Sequence, residues 1–248
     1  MIDFTTTATC RPELLNRTYK SFLSKLTGFD LRKSTLYINI DQLPTGANAG
    51  KVVEVAHTYF NSIVVNIPAI SSFPTAVQWC LVQPRAKHTF HLEDDWELKM
   101  GVDLRKLIAL LDNDSGLACV NLRAYATISD DRICLSPGLW RTETAKIIAG
   151  RLSAEANPER QLRPKDQTNP YGGKHIGFTG KQYGDRPIIT DTGRSWLEGN
   201  RLKKDGGASF TTWVTEPLPP KSGKSVVVQP KKILLPTRKI PVCPVKRQ

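Results

Sequence analysis

Short runs of β-branched and apolar residues alternate with amphipathic stretches from Ile2 to Ala124, and this alternation restricts the fold more than any other feature. Ile2–Ala8 is β-rich. Pro12 and Glu13 then open a helix, because proline fits a first turn whose N–H groups lack partners anyway and an acid suits the positive end of the helix dipole. Leu14, Leu15, Tyr19, Phe22, Leu23 and Leu26 recur at helical spacing. Ser34–Ile40 is the next strand and ends on Asp41. Gly50–Phe60 reads as a helix with Val52, Val53, Val55, Ala56 and Tyr59 on one face. Ser62–Ile67 is a continuous apolar run of the kind a strand buried on both faces gives. Ser72-Phe73-Pro74 starts a helix through Val82, and His88–Leu92 is the fourth strand. A helix over Val102–Leu111 and a strand over Leu117–Ala124 follow. Strands separated by helices predict right-handed βαβ units, hence an α/β fold with a mainly parallel sheet and helices on both faces. Ligands of such sheets bind at the carboxyl ends of the strands.

The fourth strand runs into three consecutive carboxylates, Glu93-Asp94-Asp95, followed by Trp96. Like charges this close raise one another's cost of ionisation, so the cluster needs a cation. A divalent metal carrying phosphates is one, since hard oxygen ligands suit Mg²⁺ or Mn²⁺. A solvated surface run is the competing reading. Asp41 and the acidic cluster share the carboxyl edge on this topology.

Composition narrows the class. At 248 residues, 40% hydrophobic and 23% charged, the chain has the make-up of a globular protein with a real core. No apolar run approaches the ~20 residues that span a bilayer, and no secretory signal pattern is expected at the N-terminus. Five scattered cysteines without Cys-x-x-Cys spacing argue against a zinc site or disulfide framework, and a reducing cytoplasm fits. Residues 217–248 hold eight basic residues and no acid, leaving +4 of the +12 net charge for the body. Seven of the 17 prolines also fall there, so the segment is expected to be an extended, disordered basic arm. Such an arm suits nucleic acid or anionic membrane, or serves only as a solubilising terminus. Its Val226-Val227-Val228 and Ile233-Leu234-Leu235 beads suit edge-strand docking.

Three stretches together resemble the GT-A-fold glycosyltransferases, nearest to their family-2-like members. They are Thr5–Leu23, with its polar turn at Arg11-Pro12; Asp41 at the end of the second strand; and Glu93-Asp94-Asp95, which is similar to the family's acidic metal motif. The resemblance covers 1–150 well and thins beyond. It implies a nucleotide-sugar-binding core over 1–150, an acceptor or lid region over 151–216, and the tail 217–248. It also implies roles. Thr6, Thr7 and Arg11 would meet the nucleotide, Asp41 the base or ribose, Asp95 the metal, and Asp94 the ribose or the metal's water, with Glu93 in support. Trp140, in Leu135–Arg141, would belong to the segment closing over the donor sugar. The absence of Gly-x-Gly-x-x-Gly and Walker A patterns argues against Rossmann dehydrogenases and P-loop enzymes. Thr5–Cys10 lacks glycine, which counts against nucleotidyltransferases.

The implied activity is transfer of a sugar, from a UDP-sugar first of all, to an acceptor hydroxyl with Mn²⁺ or Mg²⁺. A metal stabilises the charge growing on the leaving diphosphate. A carboxylate would deprotonate the acceptor. Glu159 is the first candidate and Asp191 the second, against helix-dipole and turn-capping readings respectively. His175, in the glycine-rich Tyr171–Gly177, is a candidate for the metal shell or the diphosphate. With the resemblance, the basic charge suggests DNA bearing hydroxymethylated bases as one acceptor, as in phage DNA-modifying glycosyltransferases, and the expected place is the cytoplasm of a bacterium or of a phage-infected host. A bacterial surface polysaccharide is the rival acceptor. A non-catalytic nucleic-acid-binding protein on the same fold is the rival class.

Overall fold

Thr5-Thr6-Thr7 and their neighbours form the first strand, β1 (Ile2–Thr9), which lies inside the main sheet with a parallel strand on each side. The structure is a computed structural model describing residues 1–42, 48–122, 133–162 and 188–199, with 174–178, 202–206 and 211–215 as backbone strands. Met1–Glu216 forms one compact unit, and the basic tail 217–248 lies outside the described residues.

After β1 come α1 (Pro12–Leu23), a short β2 (Leu26–Thr27), β3 (Thr35–Asp41), α2 (Ala49–Tyr59) and β4 (Ser62–Asn66). Then follow α3 (Phe73–Val82), β5 (His88–Glu93), β6 (Trp96–Leu98), β7 (Val102–Asp103), α4 (Leu104–Asn113) and β8 (Leu117–Leu122). The last elements are β9 (Gly138–Arg141), α5 (Thr142–Arg151), α6 (Pro158–Leu162), β10 (Lys174–Phe178), β11 (Ile189–Asp191), α7 (Gly193–Gly199), β12 (Leu202–Gly206) and β13 (Thr211–Thr215). Helix starts follow local chemistry. Asn48, Ser72 and Asp103 each accept a backbone N–H of the first turn, from Gly50, Thr75 and Arg105 respectively. In α1, Pro12 and Glu13 occupy the first turn and Lys20 the last, with the dipole satisfied at both ends.

The main sheet has the order β10-β8-β9-β5-β1-β3-β4. β1 pairs in parallel with β3 and β5, β3 with β4, and β8 with β10. β9 alone runs antiparallel, between β5 and β8. The expected α/β fold with a mainly parallel sheet and helices on both faces is what forms. One apolar cluster joins α1, α2 and α4 to a face of the sheet through Leu15, Tyr19, Val52, Ala56, Leu107 and Leu111. A second joins α3, α5 and α6 to the other face through Val77, Leu81, Ile148 and Leu162. No helix among the described residues is long and apolar enough to cross a membrane.

Four local expectations change. Leu26 does not continue the first helix: α1 ends at Leu23, and Leu26 pairs with Val102 in β2. Ser62–Ile67 is not buried on both faces: β4 is the sheet edge, with Val64 40% and Val65 36% exposed. Side-chain polarity reports hydrophobicity, not which strand lies alongside. Val102 opens no helix; with Asp103 it pairs with Leu26–Thr27, and Asp103 caps α4. Leu135–Arg141 does not stay outside the sheet. Gly138–Arg141 enters it as β9, where a Cβ on Gly138 would lie 2.7 Å from the Val120 carbonyl oxygen. Only glycine permits so close an approach.

Candidate functional site

The carboxyl ends of β3 and β5 flank the end of β1. Thr9 is level with Asp41 and Thr7 with Glu93, so topology alone gathers Asp41 and the acidic turn. The cation this turn requires is present in the protein. Arg11, from the β1–α1 connection, is 3% exposed and clamps both aspartates. Its Nε donates to Asp94 Oδ2 at 3.2 Å, and its Nη2 donates to Asp94 Oδ1 and, at 3.2 Å, to Asp95 Oδ2. The Trp196 ring of α7 lies 5.2 Å from the guanidinium carbon, within cation–π range. Burial alone would lower the Arg11 pKa, but Asp94 and Asp95 outweigh it and raise the value. The guanidinium is therefore a permanent charge.

The two aspartates differ sharply. Asp94 is 2% exposed, and its Oδ2 also accepts from the Thr9 backbone N–H at 2.9 Å and the Thr9 hydroxyl at 3.2 Å. Its carbonyl oxygen accepts the Thr18 hydroxyl at 2.8 Å. Asp94 thus fastens β1 and α1 to the turn. The Asp95 side chain is 19% exposed. Its carbonyl oxygen accepts from the Thr192 N–H at 2.7 Å and the Thr192 hydroxyl at 2.8 Å. Glu93 is half-buried, and its Oε2 accepts the Trp96 indole N–H at 2.7 Å.

Asp41 ends a polar relay across the sheet. Asn66 donates to Asn39 at 2.6 Å, and Asn39 donates to Asp41 Oδ1 at 2.9 Å. Burial pushes the Asp41 pKa up, the Asn39 amide and the Ser72 N–H pull it down, and the Asp94 charge adds to the rise. Thr7 is buried on the α3 side of β1, and Thr6 is buried on the opposite side, accepting the Tyr19 hydroxyl at 3.0 Å. Trp140 is fully buried in the second core cluster, so its indole presents no surface to a ligand.

The two candidate bases are placed differently. Glu159 is half-buried in α6, whose first turn is capped by Asn157 and which packs against α3. Asp191 is exposed at the end of β11, which pairs with β6 so that Asp191 stands opposite Trp96, one residue from Asp95. Its Oδ1 accepts the Gly193 N–H at 2.8 Å, the capping role that competed with catalysis in the sequence. His175 lies in β10, level with Cys119 of β8, and its side chain is outside the described residues, as are residues 171–173. Thr9, Thr18, Asn39, Thr192 and Trp196 belong to the site without a sequence signal of their own. Only Asn39, two residues before Asp41 and so on the same face, was open to inference from strand alternation.

Among the described residues no three His, Cys, Asp or Glu side chains gather as a closed metal cage. One or two carboxylates completed by substrate phosphates is the usual holding of Mg²⁺, and the partly exposed Asp95 fits that arrangement.

No protein-family model matches the chain, and no curated protein matches it. Solved structures do. TarS of S. aureus superposes with a TM-score of 0.55 at 10% identity, over 81% of this chain and 38% of TarS. The structure of TarS 1–349 gives 0.55 at 13% identity, over 81% of this chain and 64% of that one. The chain therefore spans less than two thirds of these neighbours, and it shares with them the GT-A glycosyltransferase fold.

Proposed function

We propose that the protein transfers a sugar from a nucleotide sugar, a UDP-sugar first of all, to an acceptor hydroxyl. The observation that carries this reading is the pairing of Asp41 and the Asp94-Asp95 turn on either side of β1, at the carboxyl edge of a GT-A-like sheet. Asp41, with its carboxylate oriented by Asn39, is suited to accept hydrogen bonds from a ribose or base. Asp95 is the candidate metal ligand. A bound Mn²⁺ or Mg²⁺ would supply stabilisation of the charge developing on the departing diphosphate. Arg11 and Asp94 hold the turn in shape, so that Asp95 meets its ligand already oriented. For the base, its exposure and nearness to the acidic turn favour Asp191 over Glu159.

The test is release of nucleotide from a panel of UDP- and GDP-sugars by the purified protein, with and without Mn²⁺. Slow Mn²⁺-dependent release from one donor is expected, with loss of it in Asp95→Ala. Asp41→Ala should weaken donor binding by about 1–3 kcal/mol while changing the chemical step little. Failure of every donor to bind, by calorimetry, or to be hydrolysed would overturn the reading.

The acceptor is read from charge. With +12 overall and eight basic residues but no acid in 217–248, the favoured acceptor is a polyanion, and DNA carrying hydroxymethylated bases meets that description. Truncation after Glu216 should then flatten the salt dependence of DNA binding by about 0.9 in slope per lost phosphate contact. Equal slopes would rule DNA out as the arm's partner and leave the membrane or docking reading of the arm in its place.

A further inference from the structure

The carboxylate of Asp95 leans on a segment nearly a hundred residues away. A Cβ added to Gly193 would stand 2.2 Å from Asp95 Oδ2, 2.8 Å from its carboxyl carbon and 3.0 Å from its Cβ. No L-residue with a side chain fits there unless Asp95 moves. The same segment grips the backbone of Asp95 with two hydrogen bonds, from the N–H and the hydroxyl of Thr192. Asp191 fixes the segment in turn by accepting the Gly193 N–H, and β11 is registered against β6. On the far side, Trp196 of α7 covers the guanidinium that holds Asp95 Oδ2. Arg11 and the Thr192–Trp196 segment thus both border the carboxylate's seat, which stays partly open to solvent.

We infer that Thr192 and Gly193 are positioning residues: the β11–α7 junction sets where the Asp95 carboxylate stands, and Gly193 is the gap that admits it. This rests on the nucleotide-sugar reading, in which Asp95 meets a divalent cation bound with a diphosphate. Gly193 is needed for space rather than for backbone freedom, since Gly28 alone among the described glycines has positive φ. Helix α7 ends on a second glycine, Gly199, where an added Cβ meets nothing within 4 Å. That residue provides a matched control for the same chemical change in the same helix.

The experiment compares wild type, Gly193→Ala, Thr192→Val and Gly199→Ala. Mn²⁺ affinity is measured with saturating UDP by electron paramagnetic resonance of the free ion, and the Asp95 rotamer is read from crystal structures of the variants. Gly193→Ala is expected to move the Asp95 carboxylate and to weaken Mn²⁺ binding at least ten-fold. Thr192→Val keeps the N–H bond and loses the hydroxyl bond, so a loss of about three-fold is expected. Gly199→Ala should match wild type. If Gly193→Ala fails to fold, Thr192→Val against Gly199→Ala decides alone. An unmoved Asp95 in Gly193→Ala overturns the inference whatever the ligand does, as does a displaced Asp95 with unchanged Mn²⁺ affinity. A wild type that binds UDP but no Mn²⁺ removes the cation these residues are said to serve. A wild type that binds neither overturns the nucleotide-sugar reading and this inference together.

Discussion

The central strands present different chemistry to the two faces of the sheet, although an apolar cluster forms on each and β1 feeds both. Ile2, Phe4 and Ala8 point toward α1 and α2, where the Phe4 ring centroid lies 5.3 Å from Phe29, 5.4 Å from Phe60 and 5.7 Å from Phe90. On the other face, toward α3 and α5, the buried residues of the central strands include Asp3, Thr5, Thr7, Asn39, Asp41, Thr89, His91 and Asn121. They are satisfied largely by specific pairs. Asp3 accepts the backbone N–H groups of Arg85 and Ala86 at 2.8 Å, and the Thr5 hydroxyl lies 2.9 Å from His91 Nδ1. The difference shows a division of labour within one strand. An aromatic face is stabilised by burial and tolerates no loss of volume. A polar face contributes little net stability per bond but fixes orientation, and it leads directly to the polar groups at the carboxyl edge.

The sharpest test of this contrast is the aromatic face itself. Phe4→Ala should cost about 3–5 kcal/mol, the range for a phenylalanine removed from a packed core. Urea unfolding monitored by circular dichroism measures it, and a loss under about 1 kcal/mol would mean that this face does not carry the stability.

His91 offers a test on the polar side. It is fully buried, its Nε2 has no hydrogen-bond partner among the described residues, and burial pushes its pKa from 6.5 down to about 4. Between those two values the unfolded chain binds a proton that the folded protein refuses, so acidification from pH 6.5 toward 4 removes stability. The full effect is about 3 kcal/mol at 1.36 kcal/mol per pKa unit. Carboxylates also titrate in this window, and His91→Asn isolates the imidazole: its stability should fall less steeply than that of wild type. Parallel curves would show that His91 is not held neutral by its surroundings.

The smallest expected effect bears on the pairing itself. The Thr89 and Thr142 hydroxyls, both buried, lie 2.7 Å apart. Thr89→Val or Thr142→Val alone leaves one hydroxyl stranded and should cost about 1–3 kcal/mol. The double variant removes both members and should lie closer to wild type than the sum of the singles. Additive losses in a double-mutant cycle would show that the pair is not the unit of stability on this face.

How much of this was legible in the sequence depended on how local the cause was. The strand–helix alternation up to α4 is written in side-chain periodicity and cap residues, and it emerged with most ends shifted by a residue or two; the first helical pattern overran by three, since α1 stops at Leu23 and Leu26 lies in β2. β9 was not legible as a strand, because Gly-Leu-Trp-Arg is four residues long, starts on glycine and gains its ladder from two strands distant in sequence. At the site, Asp41 and the acidic turn announced themselves as carboxylates at strand ends. The need for a cation there was also plain from like-charge repulsion. That Arg11 supplies part of it depended on how the β1–α1 connection folds back. The Thr192–Asp95 contact spans 97 residues and left no mark in composition or spacing.

The position of β9 has a further consequence, for the order in which the chain can assemble during synthesis. β5, β1, β3 and β4 all lie within residues 2–93 and are mutual neighbours, so this half of the sheet can pair as soon as it emerges. β8 emerges next but has no partner among them, because β9 separates it from β5. Until Gly138–Arg141 has been made, β5 presents an open edge and β8 an unpaired apolar strand, and the nascent chain is at its most exposed to mispairing. A few residues read late thus close the seam between two halves of the sheet, and a ribosome stalled before them would hold a chain with β3, which ends on Asp41, and β5, which leads into the acidic turn, already in register but no way to seal the sheet beside them.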